Sequence, residues 1–589
     1  MSASLTATNK TVDLLAAAAL VAMLVTAYIP ALQAGFIWDD PAHITENTLL
    51  LDTNGLVRIW TEAGAHQQFY PLTLTIFWLE YQLWGLAPLG YHLVNILLHA
   101  TAALLVWRLG RRMGLPGAWA AAAVFGLHPV HVESVAWATE LKNVLSGVFY
   151  LASLWFMFGY YRLYPAPPAN SAVTADEPNS RFWRLYAPGL AFFVCAVLSK
   201  TVTSTLPAAL LVLVWWRRGR VRLVEVLPLI PFFVAGIGLG LVTISREIDI
   251  GATGEAFGFS FIDRLLIAGR ALWFYVAKLL WPVDLNFNYT RWQIDSRAIG
   301  QYLYPAAALL FFAALWRLRD RIGRGPLAAA LFFSGTLFPA LGFFNVYPMQ
   351  FSFVADHFQY LASLAPIVAV TTTLAGSVAA WRSAHAGRAL PAAGLALAVL
   401  LGLYGLKTWE LGHYYKNSET LYTWIISQNP ESFLAHYNLG TELMLAGHVD
   451  AAIPHLQETM RIKPRYARAY VNLGTAYASR DALDLALPLF HRAVEIDPSL
   501  SAAHLNLGQA LMRVGDLNRA RDVLARAREL DPKDPQVFYL LGYVHGQAGD
   551  FEAAIGFLRQ TLALKPDFPQ AAELLERARF ELQRRAQPQ

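Results

Sequence analysis

The hydrophobic positions of this chain change pattern once. From residue 14 to 409 they form long runs rich in Leu, Ala, Phe and Trp. From 431 to 585 they recur on one face of short, charged, regular helical segments. A helix needs about 20 largely apolar residues to cross a bilayer. Eight runs meet that length: 14–32, 89–107, 143–161, 226–244, 299–316, 326–344, 360–380 and 389–406. Three more, 115–129, 185–198 and 202–216, are shorter. The pattern predicts an all-α chain: a polytopic membrane domain of about 11 spans over 1–409, a linker and capping helix over 410–430, and a repeat domain over 431–589. The flank of the first run holds Lys10 and no small-residue cleavage motif, so this run is expected to stay as a span.

The second half repeats at 34 residues, the TPR period. Pro464, Pro498, Pro532 and Pro566 keep that spacing, as do Gly440, Gly474, Gly508 and Gly542, and Ala452, Ala486, Ala520 and Ala554. The expected units are 431–464, 465–498, 499–532 and 533–566, with a terminal helix over 567–585. Each unit is a helical hairpin: Gly and Ala sit where its helices press together, and Pro ends the second helix. Stacked units form an α-solenoid. Asn438, Asn472 and Asn506 occupy one position of three successive first helices. They form a candidate peptide-binding ladder, because an amide both gives and accepts hydrogen bonds with an extended backbone. The same Asn is also ordinary TPR consensus. His436, Tyr470, His504 and Phe538 make a neighbouring row that could add contact area.

Charge then orients the first half. Loops 108–112, 162–184, 217–222, 317–324 and 382–388 together carry 16 Lys and Arg. With the N-terminus inside and 11 spans, all five face the cytoplasm, as the positive-inside rule requires. The opposite loops carry nine, six of them in 245–298. Within that segment 261–281 is apolar enough to span, but it carries Arg264, Arg270 and Lys278, and a span there would invert every later loop. It is expected to lie in the interface or re-enter. The repeats then stand on the non-cytoplasmic face. An Ala/Arg-rich style and a short N-terminus point to a bacterial inner membrane, with the repeats periplasmic.

Composition agrees. The chain is 56% hydrophobic and 15% charged, against about 25% charged in soluble domains. Its net charge of +5 argues neither for nor against nucleic acid, and no Lys/Arg-rich run appears; no nucleic acid partner is expected. Cys195 is the sole cysteine, which excludes a disulfide within the chain.

Ionisable groups near lipid are costly and usually face a cavity. Four clusters fall on the outer side. Trp38-Asp39-Asp40, followed by His43 and Asn47, can take a proton from a hydroxyl, bind a divalent metal, or simply form a solvated acidic loop. His128-Pro129-Val130-His131-Val132-Glu133-Ser134, with Glu140 and Lys142 beyond, can ligate a metal, hold phosphate or form a satisfied polar network, and its spacing matches no standard zinc signature. Lys200, in the tight Ser199-Lys200-Thr201 turn, suits a phosphate or snorkels to the interface. Asp356-His357 precedes a late span, where Asp356 is a second carboxylate or a helix N-terminal charge.

The order of these clusters, followed by TPRs, resembles the transmembrane-and-TPR protein O-mannosyltransferase-like family, of the GT-C glycosyltransferase superfamily. The resemblance covers nearly the whole chain and is most specific over 36–47 and 128–143. It implies an inverting transfer of sugar from a polyprenyl-phosphate donor to an acceptor hydroxyl, with a protein or peptide acceptor in the TPR groove. Asp39 or Asp40 would be the general base. Lys200, His131, His357, Arg246 and Arg291 would hold the donor phosphate, and His128, Glu133, Lys142 and Asp356 would support them. Tyr70 and His357 stand where the family pattern has Arg, which removes two fixed cations. The rival expectation is a non-catalytic membrane anchor whose TPRs recruit envelope proteins.

Overall fold

A computed structural model describes residues 2–164, 180, 182–384 and 390–586, all helix, turn and loop with no strand among them. The chain divides into two compact units, Met1–Trp424 and Ile425–Gln589, and the linker stretch is shared between them.

Each of the eleven apolar runs carries a helix in the first unit. Among the described residues eight helices are long and apolar enough to cross a membrane: Lys10–Ala27, Pro88–Arg112, Ala138–Tyr160, Phe182–Ser199, Leu223–Asp249, Ile299–Ile322, Leu364–Trp381 and Ala392–Tyr415. Ala118–Leu127, Leu206–Arg218 and Gly325–Leu337 are shorter apolar helices. The run 326–344 is cut back because Pro339 halts regular helix, leaving a short 3₁₀ turn, Phe338–Ala340. This is the architecture of a multi-pass membrane protein.

Side-chain contacts bring four of the basic loops to one end of the bundle. Arg112 stacks on Tyr164, with its guanidinium carbon 4.2 Å from the ring centre. Arg217 donates to the Met113 carbonyl at 2.6 Å, and Arg218 donates to that of Tyr161. Arg324 packs on Gly219. Helix Phe261–Leu280 therefore does not invert the later loops. It buries Leu266, Ile267, Ala271 and Tyr275 and exposes the apolar side chains of Phe261, Ile262 and Leu280. The side chains of the fifth loop, 382–388, lie outside the described residues.

The opposite end holds two helices that the sequence pattern did not announce, Thr53–Thr61 and Pro71–Trp84. Neither reaches spanning length. Pro71 pre-sets the first turn of the second, and Asp52 caps the first by accepting from Gly55 N–H at 2.7 Å. Thr73 ties this layer to the bundle by donating its hydroxyl to the Ser199 carbonyl at 2.9 Å.

The second unit is a regular helical array. Its helices are Phe433–Leu445, Val449–Ile462, Ala467–Ser479, Leu483–Ile496, Ser501–Arg513, Leu517–Leu530, Pro535–Gln547, Phe551–Leu564 and Pro569–Ala586. A Cβ added at Gly440, Gly474, Gly508 or Gly542 would meet Leu456, Phe490, Leu524 or Leu558 within 2.9 Å. Ala452, Ala486, Ala520 and Ala554 are buried at the companion contact. The 34-residue repeat thus marks the places where paired helices touch.

Candidate active site

Two adjacent carboxylates face different surroundings because the chain turns sharply before them. Trp38 adopts φ of 53°, a left-handed conformation costly for a bulky residue. Its indole is held against Phe287 and Tyr422, with ring centres 4.7 and 5.7 Å away. Asp40 turns inward and is fully buried. Its Oδ2 accepts the Ile37 N–H at 2.8 Å, and its Oδ1 accepts the Thr139 N–H at 2.8 Å and the Thr139 hydroxyl. Burial pushes this carboxyl up to about 7 against those bonds. Asp40 pins its loop to Thr139.

Asp39 instead stays accessible and makes no side-chain hydrogen bond among the described residues. Desolvation raises its pKa while Lys142 opposes the shift. Access together with desolvation describes a group at the bottom of a cleft. Glu140 adds to the rise and His357 opposes it.

Those groups form two bridges. Glu140 is buried between two lysines: its Oε1 is 3.1 Å from Lys142 Nζ, and its Oε2 accepts from Lys200 Nζ at 3.1 Å. One carboxylate between two ammonium groups leaves a net positive charge beside Asp39. Burial holds Lys200 down to about 8, with Glu140 opposing that shift. In the second bridge Glu133 accepts both the His357 backbone N–H and Nδ1–H, each at 2.9 Å. That fixes the His357 ring and leaves Nε2 without a partner among the described residues. Tyr70 bonds Thr201, next to Lys200.

Other expected site residues are committed to the fold. His131 is fully buried, with Nδ1–H donating to the Phe125 carbonyl at 2.7 Å and Nε2 2.9 Å from the Ser363 hydroxyl. It cannot reach a donor phosphate. His128 gives Nε2–H to the Leu279 carbonyl at 3.0 Å and accepts from Val130 N–H, so it locks two segments together. Arg291 lies between Phe259 and Phe353 and donates to the Ala256 carbonyl at 2.7 Å, which removes it from the phosphate set. Arg246 pairs with Asp249 at 3.0 Å, so its charge is already met. Asp356 is buried, accepting from the Tyr289 hydroxyl at 3.0 Å. Burial drives its pKa well up, with Glu133 adding to the rise. It is a support, not a second free carboxylate. Among the described residues no group of three or more His, Cys, Asp or Glu side chains could hold a metal ion.

The Asn ladder is also largely spent. Asn472 Nδ2 donates to the Thr441 hydroxyl at 2.9 Å, across one repeat boundary. Asn506 accepts from the Thr475 hydroxyl at 3.3 Å and donates to the Ala502 carbonyl. These two amides stitch repeats together, while Asn438 makes no such bond among the described residues. In the neighbouring row His436, Tyr470 and His504 donate to the carbonyls of Pro430, Pro464 and Pro498, at 3.2, 2.9 and 3.1 Å. Each ties a first helix to the turn before it.

Sequence reading named Lys142 and Lys200 separately but missed Glu140 as their common partner. The acid-x-Lys spacing was visible, whereas the second lysine lies 60 residues away.

Comparison with known proteins adds three findings. Residues 427–586 match the family model of the cilia and flagella-associated protein 70 C-terminal domain, a TPR domain. Protein O-mannosyl-transferases match stretches of similar length. F38B6.6 of Caenorhabditis elegans is 31% identical over 149 residues, 23% of this chain and 22% of the relative. Tmtc1 of Drosophila melanogaster is 36% identical over 160 residues, 25% of this chain and 18% of the relative. The chain thus matches about a fifth of the length of these curated relatives. Among solved structures, YrrB, a TPR protein with an unusual peptide-binding site, is 23% identical and covers 26% of this chain and 80% of its own, with a TM-score of 0.24. The chain is similar to protein O-mannosyl-transferases over a stretch of about a quarter of its length.

Proposed function

We propose that this chain is a membrane glycosyltransferase of the GT-C type, which moves a sugar from a polyprenyl-phosphate donor to a hydroxyl of a protein acceptor with inversion. The observation that carries the reading is the unequal pair: Asp40 is fully hydrogen-bonded, while Asp39 is accessible and unpaired beside a cationic cluster. Asp39 takes the proton of the acceptor hydroxyl as its oxygen attacks the anomeric carbon. Desolvation makes it a stronger base than a free carboxylate. The glycosidic C–O bond breaks, and the electron pair leaves on the lipid phosphate. That leaving group needs no general acid, and fixed cations stabilise its growing charge. Lys142 and Lys200 supply them, with Glu140 setting their positions. His357, held by Glu133, is the third contact. The TPR array holds the acceptor; the positive-inside count favours the non-cytoplasmic face for both the array and Asp39, which in a bacterial inner membrane is the periplasmic side.

The test is transfer itself. Purified full-length protein in lipid vesicles is incubated with radiolabelled polyprenyl-phosphate sugars and an extract of envelope proteins. Label is expected to pass to protein with wild type and to fall with Lys200→Ala. Silence across a broad donor panel would replace the enzyme reading with a membrane-anchored scaffold.

A further inference from the structure

Helices Pro88–Arg112, Leu141–Tyr160, Leu206–Arg218, Gly325–Leu337 and Leu364–Ala384 line an open apolar cavity of about 220 Å³. Its walls include Leu109, Met113, Leu154, Phe158, Trp216 and Phe332. Dry cavities with such walls accept benzene at about 150 Å³, so this one has room for a stretch of alkyl chain. It lies at the arginine-rich end of the bundle. Lys200 and Arg217 stand at opposite ends of one helical segment, so the cavity is separate from the Asp39 cleft.

Two arginines border the cavity, each next to a wall residue in the chain. Arg217 donates to the carbonyl of the wall residue Met113 and keeps a buried Nε without a partner. Arg324 directly precedes the wall residues Gly325 and Pro326 and packs on Gly219. Neither arginine has an acidic partner among the described residues. Their neighbours do: Arg218 and Arg222 share Glu225, and Arg111 pairs with Asp13. The free N–H groups of the helix starting at Gly325 open at the same place, and a helix N-terminus favours an anion.

We propose that this is a binding site for an anionic phospholipid of the adjoining leaflet, with an acyl chain in the cavity and its phosphate between Arg217 and Arg324. Charge complementarity selects this occupant: a hydrocarbon alone leaves two cations unmet, and a zwitterionic headgroup brings its own ammonium to them. The site stands apart from the glycosyltransferase reading and holds whether or not that reading fails.

Native mass spectrometry of the full chain tests it. The protein is titrated with an equimolar mixture of phosphatidylglycerol and phosphatidylcholine of the same acyl chains. Wild type is expected to retain phosphatidylglycerol about tenfold better, the scale of one charge-assisted phosphate contact. Arg217→Gln with Arg324→Gln should abolish the preference, and Ala329→Phe, which fills the cavity, should reduce binding of both lipids. Arg220→Gln, which removes an exposed charge nearby, should change neither. Equal retention of the two lipids by wild type would overturn the proposal. So would a preference that survives the double substitution or falls equally with Arg220→Gln, or stronger retention of a polyprenyl phosphate than of phosphatidylglycerol.

Discussion

Asp39 and Asp40 should separate in a single experiment, because the structure gives them opposite duties. Asp40→Asn keeps the shape but turns one acceptor oxygen into a donor. Three donors now converge on the carboxylate: Ile37 N–H on one oxygen, and Thr139 N–H and hydroxyl on the other. The amide oxygen serves the Thr139 side best, which sets the amide NH₂ against the Ile37 N–H. A buried orphan N–H costs about 1–3 kcal/mol. Loss of the charge relieves the desolvation that pushes this carboxyl up to about 7. The net destabilisation is therefore expected near the low end, about 1 kcal/mol. Asp39→Asn breaks no hydrogen bond and should change stability by less than about 0.5 kcal/mol. As the base, however, it should lower turnover by about 10²–10⁴. Both variants are compared in lipid nanodiscs, by tryptophan-fluorescence melting and by labelled-sugar transfer. Wild-type turnover in Asp39→Asn, or lost turnover at wild-type stability in Asp40→Asn, would refute the division of roles.

The remaining expectations follow from other contacts. Glu140→Gln leaves two buried lysines without their anion, a loss of about 3–5 kcal/mol for a broken buried pair; inorganic phosphate should raise the melting temperature of this variant more than that of wild type, and equal shifts would refute the bridge. Donor binding should fall as pH rises through about 8, because Lys200 is cationic below that value and neutral above it; Lys200→Arg, which stays charged, should remove the step in a polyprenyl-phosphate binding assay. Gly474→Ala drives a Cβ to 2.6 Å from the Phe490 ring, and about 1–3 kcal/mol of overpacking should outweigh about 1 kcal/mol of helix propensity. Hydrogen exchange should quicken across residues 467–496, whereas Gly556→Ala, with no atom within 4 Å of the new Cβ, should slow it in its own helix.

The sequence by itself determined the elements whose cause is local and periodic. An apolar run of sufficient length has no option but a helix in lipid, so the spans were legible from composition. The 34-residue spacing of Gly, Ala and Pro is the imprint of one contact made four times, and each Gly was found against the residue that demands it. The pairing of helices through Arg217, Arg218 and Arg324 agrees with the loop charges. Helix Pro71–Trp84 was not legible because its 14 mostly apolar residues fit neither a span nor an amphipathic surface helix. The tertiary structure alone decided which ionisable groups are free. His131 and Lys200 look equally available along the chain, yet one is sealed by Phe125 and Ser363 while the other reaches the cleft. Asp39 and Asp40 differ by nothing in sequence; one left-handed residue, Trp38, sends them into different surroundings. The Glu133–His357 bridge spans 224 residues. Period and hydropathy carry information over one helix or one repeat, whereas the charge state and reach of a buried group depend on every chain segment packed around it.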